Sequence, residues 1–258
     1  MLNKSQSYLC LLALIAFVSG APDSRAMTMP AKHRMGIDIK PTGLFPRYPT
    51  DRDCSKLTSL YASRIDIDGS KRDRPRSGVD GGRLGEPILA PGNGSIIAAW
   101  RANWGWGWEG ALLIRHTREE LGLMKGPRYY YSEFDHLKFD DVRVMEVGAK
   151  VKRGEKLATV FRPGGISRYL PEVHWEVWEI DDDDATRWRT NRFNGRYWVN
   201  KTGHLIDPLY MLSLDGPLGE DGAVPVPTYD PSANYDDFRG FTYIFTCQKF
   251  AKHEPAEK

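Results

Sequence analysis

Stretches of this chain alternate apolar and polar positions, or run apolar, over strand lengths: GSIIAAWR (94–101), GALLIRHT (110–117), RYYYSEFDHL (128–137), KLATVF (156–161) and EVHWEVWEI (172–180). Turns bearing Gly or Pro, such as APGNG and RPGG, separate them. Side chains alternate across a strand, so the pattern predicts short, half-buried strands. No helical periods come between them, which favours a mostly antiparallel β domain over an α/β one. CSKLTSLYASRI (54–65) puts Leu57, Leu60 and Tyr61 at helical spacing and predicts a short helix. RGFTYIFTCQKF (239–250) reads as a terminal strand.

On the 172–180 strand, Glu172, His174 and Glu176 share one face, and Trp175 faces the other way. A solvated edge gives this pattern, and so does a site for a metal or for acid–base chemistry. Trp104, Trp106 and Trp108 recur at period two within WRANWGWGWEG. An exposed row of this kind could stack on sugar rings or grip a peptide, while core or hairpin packing explains it equally well. The acid run Asp181 to Asp184 reads as a solvated turn.

Composition narrows the partners. With 36 basic against 34 acidic residues the net charge is +2, which lacks the basic excess of a nucleic-acid binder. At 258 residues and 41% hydrophobic, the chain can bury one domain and carry appendages.

The N-terminus has Lys4, an apolar run from Tyr8 to Val18, and then small residues. That order predicts a signal peptide over 1–26 and an exported protein, periplasmic or extracellular, without a transmembrane segment after its removal. A Pro- and Gly-bearing spacer is expected over 27–50, the main domain over 51–212, and a C-terminal extension over 213–258. Loss of the leader leaves Cys54 and Cys247, which an oxidising compartment would bridge; two separate buried thiols are the alternative.

From Arg76 to Leu212 the order of motifs resembles the lysostaphin-type (LytM-like) zinc endopeptidases, which cut the peptide cross-bridges of bacterial cell walls. RSGVDGG (76–82) stands where that family has His-x-Gly-x-Asp, and GEPILAPGNGSIIAAW (85–100) is similar to the segment after it. GALLIRH, FDHL (134–137) and VGAKVKRGEKLATV (147–160) follow in the family's order. EVHWEV (172–177) falls at His-x-His-Phe-Glu-Val, and IDPLYML (206–212) closes the series. The resemblance implies a small twisted antiparallel sheet forming the floor of a groove. It also implies zinc held by a His, an Asp and a second His, with two further histidines assisting a zinc-bound water.

By that correspondence Asp80 and His174 take ligand positions and His136 an assisting one. Arg76 stands at the first-ligand position, and Glu172 replaces the general-base histidine. Arginine stays protonated and offers no lone pair, so it cannot be a ligand. A guanidinium about 4 Å from a divalent ion is repelled by about 8 kcal/mol at an effective dielectric of about 20. The joint change predicts that Arg76 lies near the metal's place and pairs with Asp80 and Glu172.

Three readings follow. The first is a degenerate relative that binds peptidoglycan peptide or regulates a wall-hydrolase partner. The second is a working zinc endopeptidase with a recruited ligand. The third is a secreted carbohydrate-binding module using the tryptophan row.

Overall fold

The computed structural model describes residues 39–65, 69–105, 107–162, 171–216 and 218–250. The segment read as a signal peptide, together with Trp106, lies outside the described residues.

The architecture is mainly β, as the periodicity predicts. Its centre is an eight-stranded sheet in the order Leu57–Ser59, Val79–Gly81, Val173–Ile180, Tyr129–Leu137, Trp108–Thr117, Gly94–Asn103 and Lys150–Val151, with His204–Ile206 also pairing the Val173–Ile180 strand. Every pairing within it is antiparallel. The short, turn-separated strands of the sequence fit this topology, because hairpins need only brief connections.

Both faces of the sheet are packed. On one, Leu112, Phe134, Trp175 and Val177 meet Phe241, Tyr243 and Phe245 of the C-terminal stretch. On the other, Leu113, Tyr131 and Trp178 meet Tyr197, Trp198 and Val199. The latter belong to a hairpin formed by Thr186–Thr190 and Arg196–Asn200, which roofs the face carrying His174 and Glu176.

Two expectations are corrected. Residues 54–65 form no helix: Leu57–Ser59 is a strand on the sheet edge, paired with Val79–Gly81, and Ala62 takes a left-handed φ of 61°. The ladder offered by that edge outweighs a weak local helix preference. The terminal strand is shorter than its apolar pattern, since Cys247–Lys249 alone pairs, with Arg52–Cys54. Upstream, Phe241 and Tyr243 to Phe245 run buried through the first core, with Ile244 O accepting from Leu89 N at 2.8 Å.

Cys54 and Cys247 face each other across that two-stranded ladder and are joined by a disulfide, S–S 2.07 Å. Within the expected spacer, Phe45–Arg47 pairs in parallel with Ala223–Pro225, so this part of it is built into the fold.

Candidate functional site

The sheet register brings the sequence-predicted residues together. His174 lies opposite Asp80 on one neighbouring strand and opposite Asp135 on the other. Antiparallel pairing puts such side chains within a hydrogen bond of each other, and His174 Nδ1 lies 2.7 Å from Asp80 Oδ1. The approach of Ser77 to the same strand depends on Gly78, where an added Cβ would sit 2.1 Å from the Trp175 carbonyl oxygen.

Arg76 completes the centre. Its Nη2 contacts Asp80 Oδ2 and lies 3.5 Å from Glu172 Oε1, with all three side chains buried. The guanidinium therefore points at both acids. A buried charge is tolerated when it is paired and hydrogen-bonded, and Arg76 between Asp80 and Glu172 meets that condition.

His174 is the hinge of a second set of contacts. Its Nε2 lies 3.1 Å from Glu176 Oε1, which also accepts the Ser77 hydroxyl at 2.6 Å. Burial pushes the His174 imidazole down to about 3; Glu176 opposes that shift and the Arg76 charge adds to it. A neutral ring has one N–H to give, and the short contact assigns it to Nδ1 and Asp80. The Nε2 side of the ring then faces Glu176 Oε1 and the Ser77 hydroxyl, the latter at 3.4 Å.

His136 stands apart from this pair, its ring centroid 6.3 Å from that of His174. It has a φ of 64°, and the strand pairing shifts register beside it, between Gly110 and Leu112 on the partner strand. A bulge of this kind re-aims a side chain, and His136 Nδ1 reaches both carboxylate oxygens of Glu109 at 3.0 Å.

Sequence reasoning missed Ser77, Glu109, Glu133 and Trp198. Glu133 lies directly opposite Glu176, where like charges would repel. Each acid instead takes an indole N–H: Trp198 Nε1 reaches Glu133 at 2.8 Å and Trp178 Nε1 reaches Glu176 at 3.0 Å. The two indoles meet edge to face at 5.1 Å. The FNG string at 193–195 signals the turn of the roofing hairpin, with Asn194 at φ 63°. Nothing local marks Glu109.

The tryptophan row does not hold as one face. Trp104 is buried and packs toward Tyr197, whereas Trp108 is 47% exposed and begins the next strand. A hairpin turn lies between them, so period two does not carry across.

The donors do not fit zinc. A catalytic zinc needs three protein ligands around one point, and among the described residues no three His, Cys, Asp or Glu side chains converge in that way. Asp80 and His174 are spent on each other, and the Arg76 cation holds the remaining Asp80 oxygen.

No protein-family profile matches the chain, and no curated protein matches its sequence. Solved structures resemble parts of it. A zinc-containing peptidase from Vibrio cholerae is 24% identical over 52% of this chain and 36% of that one, with a TM-score of 0.32. The present chain thus spans little more than a third of that protein's length. The catalytic domain of the prophage-encoded M23 protein EnpA from Enterococcus faecalis is 18% identical, covering 63% of this chain and 93% of that one, TM-score 0.35. The catalytic domain of the antimicrobial peptidase lysostaphin from Staphylococcus simulans is 20% identical, covering 49% and 79%, TM-score 0.29.

Proposed function

We propose that this chain is an exported, catalytically silent protein of the lysostaphin type that acts at the bacterial cell wall, by binding peptidoglycan peptide or by regulating a wall hydrolase. The observation that carries the reading is the Arg76 guanidinium set against both Asp80 and Glu172. A fixed cation where the motif order expects a ligand opposes a divalent ion by charge and by lack of a lone pair. Burial adds to it: His174 and Asp80 are 3% and 0% exposed, which leaves a peptide bond no direct approach.

An active zinc endopeptidase is the competing reading, favoured by the survival of Asp80, His136 and His174 at their motif positions. Metal content separates the two. The purified protein, dialysed against zinc and then against buffer, is expected to be metal-free, to release no amino groups from purified wall, and to co-sediment with it. The Arg76→His variant is expected to gain zinc. Stoichiometric zinc in the natural protein, with chelator-sensitive hydrolysis of wall peptides, would overturn the proposal in favour of the enzyme.

A further inference from the structure

Just past the Leu137 end of the strand that carries His136 lies a cleft of about 630 Å³ that the function above leaves unused. That volume lies inside the range of about 300–1,000 Å³ common for small-molecule sites. Its walls come from adjoining segments: Arg101 and Trp108 from the long hairpin, Lys138 and Phe139 just past the His136 strand, and Phe161 and Arg162 after the Leu137–Val160 bridge. Gly110 lets the walls close. A Cβ there would lie 2.8 Å from Val142 Cγ2 and 3.1 Å from Phe139 Cα, so only glycine admits the short Phe139–Val142 helix at this distance.

The chemistry is one-sided. Arg101, Lys138 and Arg162 form no ion pair among the described residues, and the acid in the wall, Asp140, is held by Arg143 Nε at 2.9 Å. The Arg101 guanidinium lies 4.5 Å over the Trp108 ring and 5.8 Å from the Phe139 ring. Stacking of this kind holds the cation flat beside an apolar surface with its N–H edge free for an anion. Trp108 is nearly half exposed, and Phe139 and Phe161 are partly so.

We propose that this cleft binds an anionic saccharide, a sugar ring that carries a carboxylate. The ring's C–H face packs on Trp108 and the phenyl groups, and the carboxylate meets the guanidinium of Arg101 or Arg162 with Lys138 nearby. Charge alone would suit any polyanion; the exposed indole and phenyl rings are what select a ring-shaped ligand. The inference does not rest on the reading of the Arg76 centre, since none of the cleft residues takes part in it.

The test is an NMR titration of the full chain, following the Trp108 indole N–H, assigned by its loss in Trp108→Phe. The probes are N-acetylmuramic acid, N-acetylglucosamine (the same ring without the carboxylate) and oligomeric glycerol phosphate. The carboxylated sugar is expected to bind about tenfold more tightly than the neutral one, the worth of one charge-assisted contact. Lys138→Glu and Arg162→Glu, both on the surface of the cleft, should erase that difference and leave neutral-sugar binding unchanged. Equal affinity for the two sugars, or no response to either, would overturn the proposal. Glycerol phosphate binding as tightly as the acidic sugar would overturn it in favour of a phosphate polymer.

Discussion

His174 and Asp80 face each other on neighbouring strands, and the imidazole Nδ1 meets the carboxylate at 2.7 Å. A proton joins two groups that, in a metal centre, an ion would hold apart. Arg76 takes the other Asp80 oxygen, so the acid is fully engaged without a metal.

Removing the guanidinium should therefore be costly. Arg76→Met leaves Asp80 and Glu172 as buried acids without their counter-ion, and stability is expected to drop by about 3–5 kcal/mol. Adding Glu172→Gln removes one of the stranded charges and should recover part of that loss. Urea melts of the single and double variants measure it. A single variant as stable as the parent would mean that Arg76 has no structural role.

The roof over the His174 face makes its own prediction. Trp198 is fully buried, meets Trp178 edge to face and donates to Glu133. Trp198→Ala is expected to cost about 3–5 kcal/mol and to expose apolar surface that binds a hydrophobic dye. Trp198→Phe keeps the ring but loses the donor, and should fall between the two. If Trp198→Ala bound no more dye than the parent, the hairpin would not be sealing that face.

Acid should destabilise the fold through its buried histidines. His116 is enclosed between the Asn93 carbonyl oxygen and Ser132 Oγ, at 2.7 and 3.0 Å, and burial pushes it down to about 4. The unfolded ring titrates near 6.5. Below that value the unfolded chain binds a proton that the folded one refuses, so stability is level above about pH 6.5 and falls as pH drops toward 4. The share of His116 is about 3 kcal/mol. His174, pushed down to about 3, acts with the same sign. Thermal melts between neutral and mildly acidic pH should show the parent losing more than His116→Gln; parallel slopes would contradict this.

The disulfide is expected to contribute about 2–5 kcal/mol. Cys54→Ser with Cys247→Ser should melt earlier by that margin, and a reductant should bring the parent to the same midpoint. A reductant without effect on the melt would show the clasp to be dispensable.

The sequence made the central sheet readable because its strands are short, alternate cleanly and end at Gly or Pro turns, as in GALLIRHT and RYYYSEFDHL. The Arg76, Asp80 and Glu172 grouping was also legible, from the motif order together with the chemistry of arginine. The roof was not. TRWRTNRFNGRYWVN interleaves its aromatic residues with four arginines, so its apolar period is masked, and only the Asn-Gly pair marks the turn. Glu109 was invisible for another reason: its meeting with His136 depends on a bulge and a left-handed residue, which no periodicity encodes. The helix expected at 54–65 failed because a sheet edge beside Asp80 offered it a ladder.

Residues 54 and 247 are clasped across 193 positions, and the stretch from Phe241 to Phe245 lines the first core. During synthesis Phe241 to Phe245 are made after every central strand of the sheet. The sheet's central strands are all complete by Ile180, yet they lack the side chains that fill the space beneath Trp175. The interior beneath Trp175 therefore stays half-built until Phe241 to Phe245 have been made, so the order of synthesis sets the earliest moment at which that core can close.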